Sequence, residues 1–336
     1  MSGCKRLKMT DAAWQERMDK LLTNYEPGRN LEPFEELVTD CTTISSWDEF
    51  QDWCSPFKKG GCFRGQRDAT WHLDSSLYRK VYRRWSYQTD SISSESLELL
   101  NPNENERELL QEFQRAAHHH YPALPALDQV VDWLAMMQHH GAPTRMLDWT
   151  RSPYVALYFA MQEGTANEAA LWAIDLKWLR ERSNELLRQH DKDCPEHSNP
   201  DAMAEYVNRI LLKPDNPLVI AAASPKQLNE RMLIQQGELL CNLQHESAFS
   251  TVLLGMLIHP EIVTRQVVSK VIITRERRLE FLEELRLMNI HEASLFPGLD
   301  GFARSLGVNL DIAVANQIED RKEAFKAYLR SKAVRT

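Results

Sequence analysis

HHGAPTRMLDWTRSPYVALYFA, from His139 to Ala160, packs a helix end, a turn, a short apolar strand and the start of another helix into one stretch. Gly141, Ala142 and Pro143 stop the preceding helix. Proline has no N–H and fixes φ, and glycine suits the position just past a helix C-terminus. Met146, Leu147 and Trp149 then form a short apolar run with one carboxylate, Asp148, set inside it. Thr150 and Ser152 are both suited to cap the helix that follows, and Pro153 fits its first turn. Val155, Ala156, Phe159 and Ala160 supply the apolar face of that helix, with small residues that permit close packing. Polar groups set so densely into apolar sequence need partners wherever they are buried, which marks the stretch as a site rather than plain core.

The stretch sits in a chain of 336 residues, long enough for one large domain or two smaller ones. Hydrophobic residues at 43% and charged residues at 26% are ordinary for a soluble globular protein. The net charge of −8 argues against a general electrostatic grip on nucleic acid. No run has the length of a membrane helix and the N-terminus lacks an apolar signal core, so the chain is read as cytoplasmic with no membrane partner. The cysteines Cys4, Cys41, Cys54, Cys62, Cys194 and Cys241 include no CxxC pair and no histidine at zinc-finger spacing. They are expected to be reduced and partly buried, with no metal site.

Upstream of the central stretch, residues 10–57 read as amphipathic helix. Trp14, Met18, Leu21 and Leu22 form one stripe, and Trp47, Phe50 and Trp53 form a second that Ser45 or Ser46 would cap. Gly60 and Gly61 mark a turn into a short strand, Cys62-Phe63-Arg64, and Gly65 after it implies close backbone approach or positive φ. Residues 86–103 read as a mobile polar loop, and helices are expected over Glu104–His120 and Asp128–His140. Downstream, Ala169–Leu176, Pro217–Ala222 and Lys270–Thr274 read as strands, and Trp178–Gln189 and Glu276–Leu287 as helices. Glu230–Asn242 reads as two strands around a Gln-Gln-Gly turn, and residues 190–201 as a polar surface loop. Five or six short strands among helices, with no regular repeat, predict an α+β fold built on small mixed or antiparallel sheets. The boundaries read as an N-terminal helical segment (1–58), a main domain (59–308) and a C-terminal helical tail (309–336). No GxGxxG follows a strand and no P-loop is present.

Several residues carry candidate chemistry. Arg64 at a strand end can hold a phosphate or carboxylate with its fork of donors, or can pair structurally with an internal acid such as Asp148. His139 and His140 end a helix, where histidine often just complements the terminal carbonyls. Asp148 is either a general base or an acceptor that fixes a turn, and with His140 it would make an acid–base pair for a nuclease or hydrolase. The run His118-His119-His120 lies on a helix, where adjacent side chains diverge, so it does not assemble a metal site.

FRGQ (Phe63–Gln66), the W-L-SSLYR run from Trp71 to Arg79, QHHGAPTRMLDWTRSPYVALYFA, ALWAID, QQG and LFPGLDGFARSL together resemble the FRG-domain family, named for its (F/Y)RG motif. The resemblance spans roughly Gly60 to Leu306. The order of motifs is also similar to that of ADP-ribosyltransferases. Those have an arginine on a first strand, a Ser/Thr-bearing second strand running into an A-x-x-F-A helix, and a glutamate in an ExE or QxE turn. Here Arg64, Thr150-Arg151-Ser152 with Ala156–Ala160, and Gln236-Gly237-Glu238 follow in that order, with Asp-Trp-Thr-Arg-Ser in place of Ser-Thr-Ser. This likeness implies a split sheet and NAD as substrate, with Arg64 holding its phosphate or ribose and Thr150 and Ser152 bracing the nicotinamide pocket. Gln66, His140 and Asp148 would stand around the same ligand. Glu238 would bind the ribose hydroxyl and stabilise the oxocarbenium-like charge, and Gln236 would position the acceptor. It further implies a macromolecular acceptor, protein or nucleic acid, and an effector of toxin or phage-defence type with an antitoxin or other regulatory partner. A non-enzymatic binding or sensor module built on the same domain is the remaining alternative.

Overall fold

The computed structural model describes residues 39–83, 102–164, 166–244, 247–257 and 266–333. Alternation of side chains decides its centre. In β4 (Glu168–Asp175), Ala170, Trp172 and Ile174 enter one core, while Ala169, Leu171 and Ala173 enter another on the opposite face. A strand apolar on both faces must be covered on both, and helices do so here.

Seven strands form one mixed sheet in the order β1-β7-β4-β2-β3-β6-β5. The others are β1 (Thr39–Ile44), β2 (Gly61–Gln66), β3 (Met146–Thr150), β5 (Ile220–Ala223), β6 (Gly237–Asn242) and β7 (Val268–Thr274). β1 runs parallel to β7 and every other junction is antiparallel. On one face lie α1 (Trp47–Cys54), α4 (Pro153–Met161) and α8 (Arg278–Leu287), around Phe50, Phe63, Leu157 and Phe281. The other face carries α2 (Pro102–Ala117), α3 (Val130–His139), α5 (Leu176–His190), α6 (Pro200–Ile210) and α7 (Phe249–Leu257), around Trp133, Trp172 and Leu240. The last helix, α9, is continuous over Leu299–Ala333.

The α+β expectation holds, with three local corrections. Residues 39–44 pair as an edge strand rather than helix, because their Thr-rich sequence finds β7 alongside. The first half of Glu230–Asn242 is a single helical turn, Glu230–Ile234, capped by Asn229, whose side-chain oxygen accepts from the Met232 amide. α9 begins ten residues before the expected tail boundary, so residue 309 lies inside a helix. The N-terminal stripe Trp14–Leu22 and residues 86–101 of the expected loop lie outside the described residues.

Gly65 explains the tight layer between β2 and α4. A Cβ there would lie 1.9 Å from the Ala156 carbonyl oxygen and 2.7 Å from the Ala160 nitrogen. The far end of α4 is held by arginines. Arg275 donates to the carbonyls of Ala160 and Gln162, Arg278 to Met161 (2.7 Å) and Arg67 to Glu163 (3.3 Å). Cations at the last orphan carbonyls satisfy them and complement the helix dipole. Beneath β3, Arg145 and Glu106 are fully buried and form an ion pair at 2.6 Å. The Arg145 guanidinium also donates to the carbonyls of Leu211 and Leu243, at 2.7 and 3.0 Å. Cys54, Cys62, Cys194 and Cys241 are free thiols in the interior. Among the described residues, no helix is long and apolar enough to cross a membrane.

Candidate functional site

Strand pairing is uneven, and the unevenness makes a cleft. β2 joins β4 over six register pairs and β3 joins β6 over five, but β2 joins β3 through one, Phe63 with Thr150. Beyond that pair the strands part, and a cavity of about 200 Å3 opens, walled by Phe63–Arg67, Trp71, Asp148–Thr150, Phe159, Gln162, Arg231 and Gln235. Arg64 bridges the gap, its guanidinium donating to the Asp148 carbonyl. Its Nε is buried and has no partner. Burial holds the Arg64 pKa below the ordinary arginine value, with Asp148 opposing that shift and Arg79 adding to it.

Arg231 reaches the cleft from the Glu230–Ile234 turn. Its guanidinium lies 4.4 Å from the Phe296 ring centroid and donates no hydrogen bond among the described residues. Burial lowers its pKa as well, against the pull of Asp148 and Glu292. Phe296 meets Phe159 edge-on at 6.2 Å, and Gln235 donates to the Leu295 carbonyl at 3.0 Å. The LFPG run therefore backs the cleft wall. Arg67 sits 5.6 Å over the Trp71 ring, which is 46% exposed at the rim. Arg64, Arg67 and Arg231 thus line the cleft with one carboxylate, that of Asp148, whose charge acts on Arg64 and Arg231.

The residues singled out in the sequence divide into three groups. Arg64, Gln66, Asp148 and Thr150 line the cleft together. Two of these four are spent on structure. Gln66 accepts from Trp172 Nε1 at 2.7 Å and donates to the His72 carbonyl. The Thr150 hydroxyl donates to the Gln235 carbonyl at 2.6 Å and accepts from the Ser152 amide at 3.0 Å. Ser152 caps α4 by accepting from the Val155 amide. Glu238 and Gln236 stand outside the lining. Glu238 is paired beside Trp149 in β6 and buried, its oxygens held by Arg151 (2.7 Å) and Arg180 (2.7 Å). Gln236 turns the chain at φ +50°, and its carbonyl accepts from the Arg151 amide. His140 packs against Tyr121 and His139 at the end of α3, and no hydrogen bond joins it to Asp148 among the described residues. The His139 pKa is lowered by partial burial, His140 and Arg231.

Arg231 is the cleft residue that a strand reading of ERMLI hides. The signal for it is Asn229 followed by Glu230, a cap and a first-turn acid.

Residues 59–169 match the family model for the FRG domain. The chain carries an FRG domain. The match runs from the turn before β2 to the start of β4, and so takes in both sides of the cleft, Gly65 and α4. In this FRG protein the sheet continues through β5, β6 and β7, and the Gln-Gln-Gly and LFPGLDGFARSL motifs lie beyond the matched residues. No curated protein and no solved structure matches the chain.

Proposed function

We propose that the cleft between β2 and β3 binds NAD and that this FRG protein transfers the ADP-ribosyl group to a macromolecular acceptor. The observation that carries the reading is the pair of under-committed guanidinium groups, Arg64 and Arg231, facing Asp148 across an aromatic-walled gap. Planar guanidinium forks suit phosphate oxygens. With Arg67 included, the cleft has a surplus of positive charge, which fits a pyrophosphate. Phe159 and Trp71 offer flat apolar faces for an aromatic base. At about 200 Å3 the cleft is smaller than the ~300–1,000 Å3 of sites that enclose a drug-sized ligand. It therefore takes one half of a dinucleotide and leaves the other over the rim at Trp71.

In the transfer, the bond between nicotinamide and the ribose anomeric carbon breaks, and nicotinamide leaves with the bonding electrons. The acceptor's nucleophile bonds to that carbon and releases its proton to solvent. In this reading Asp148 holds the ribose hydroxyls and stabilises the positive charge developing on the sugar. Glu238, clamped by Arg151 and Arg180, orders the start of β6 and thereby the Gln235–Gln236 turn. The reading brings with it a cytoplasmic effector of the toxin or phage-defence kind, restrained by an antitoxin or other regulatory partner.

Calorimetric titration of the full chain with NAD, alongside a nicotinamide-release assay, tests this. Arg64→Ala and Arg231→Ala are each expected to weaken NAD binding at least tenfold, and Asp148→Asn to bind NAD but release no nicotinamide. Absence of NAD binding overturns the reading. Release that survives Asp148→Asn and disappears in Glu238→Gln with NAD binding intact moves the carboxylate role to Glu238.

A further inference from the structure

Helix α9 continues for 35 residues, which at 1.5 Å per residue is about 52 Å. Its first turns lie on the body through Gly301, Ser305 and Ile312, the last two buried. From Asn316 to Arg330 every residue is exposed, so the helix leaves the body and runs on in solvent. An apolar stripe accompanies it through Leu299, Leu310, Val314, Ile318, Phe325 and Leu329, each at least 44% exposed. At about 100° per residue these side chains all lie within about 60° of Val314, while Gly301 and Ile312 point to the far side.

Such a stripe is costly in water. Large apolar side chains left 44–80% exposed along one side of a helix form the kind of patch that marks an interaction site. The charges indicate what covers it. Asp300 at one end and Arg330 at the other have no ion pair among the described residues. A parallel neighbour of the same sequence would set like ends together. An antiparallel one brings Arg330 to the end that carries Asp300, and lays the stripe along its own image.

We propose that α9 pairs with α9 of a second copy of this chain, antiparallel about a two-fold axis near Val314. Leu310 then faces Ile318 of the other copy, Leu299 faces Leu329, and Val314 faces itself. An isologous contact of this kind closes at two copies.

Sedimentation of the full chain at micromolar concentration is expected to give twice the 39.0 kDa of one chain. The double substitution Leu310→Glu with Ile318→Glu is expected to give the monomer with unchanged circular dichroism. Mild oxidation of Val314→Cys is expected to yield a covalent dimer above the wild-type background. Leu329→Cys is not, because its mate lies about 45 Å away along the pair. A wild-type monomer at tens of micromolar overturns the proposal. So does a dimer indifferent to the two glutamates, or one that cross-links through Leu329→Cys and not through Val314→Cys.

Discussion

Two arginines flank β3 and have opposite fates. Arg145 precedes the strand, is fully buried, and spends its donors on Glu106 and on the carbonyls of Leu211 and Leu243. Arg64 crosses from β2, donates to one carbonyl of the same strand, and leaves its Nε without a partner. A guanidinium saturated by its own chain is a structural pin. One that is half-buried with its Nε unsatisfied, as Arg64 is, suits the anion site proposed above, since an unsatisfied buried donor is expensive to keep. The difference can be tested on stability and binding separately.

The largest effect is expected at the pin. Arg145→Ala leaves the Glu106 carboxylate buried without its cation, and denaturant unfolding should show a loss of ~3–5 kcal/mol. Arg64→Ala should cost no more than ~1 kcal/mol on the same instrument, since a single hydrogen bond to a carbonyl is lost, while NAD binding falls at least tenfold. Equal destabilisation by the two would break the comparison and return Arg64 to the structural role.

Next is Gly65→Ala. Its methyl would meet a backbone oxygen at 1.9 Å, so α4 must move, with an expected loss of ~1–3 kcal/mol or more. Because the obstacle is main chain, Ala156→Gly should fail to rescue it. Rescue would mean that the β2–α4 layer is looser than drawn.

A smaller effect sharpens the contrast through groups the core keeps neutral. Burial raises the Cys54 and Cys241 pKa values from 9.0 to about 12. As pH rises past 9, the unfolded chain gives up these protons and the folded chain retains them. The contribution of these two thiols to stability should therefore be constant below pH 9 and fall toward pH 12, by ~1.4 kcal/mol per unit for each thiol at the steepest. Cys241→Ala should make that slope shallower. An unchanged slope would place the alkaline sensitivity elsewhere.

Local grammar carried much of this into the sequence. The Gly-Ala-Pro stop, the apolar run of β3, Ser152 with Pro153 at the head of α4, and the need for glycine at position 65 are each decided within a few residues. What lay beyond reach depends on partners far along the chain. Arg145 meets Glu106 across 39 residues, Gln66 meets Trp172 across 106, and Glu238 meets Arg151 across 87. Nothing in a strand-like hexapeptide says that its carboxylate will be clamped away from a cleft. β1 was hidden for a related reason: six residues rich in threonine become a strand because β7 lies beside them. In ERMLI, five apolar-leaning residues are too few to separate strand from helix by period, and the cap at Asn229 decides.

The single register pair between β2 and β3 has one more consequence. Past Phe63 and Thr150, the facing borders of residues 64–66 and 147–149 lie inside the sheet without a strand neighbour, and Arg64 covers one of their carbonyls, that of Asp148. Their amides and carbonyls are polar contacts that no side-chain substitution removes. On the proposed reading, an alanine scan of the cleft accounts for only part of the NAD affinity. The remainder is backbone, and amide hydrogen exchange with and without ligand would read it directly.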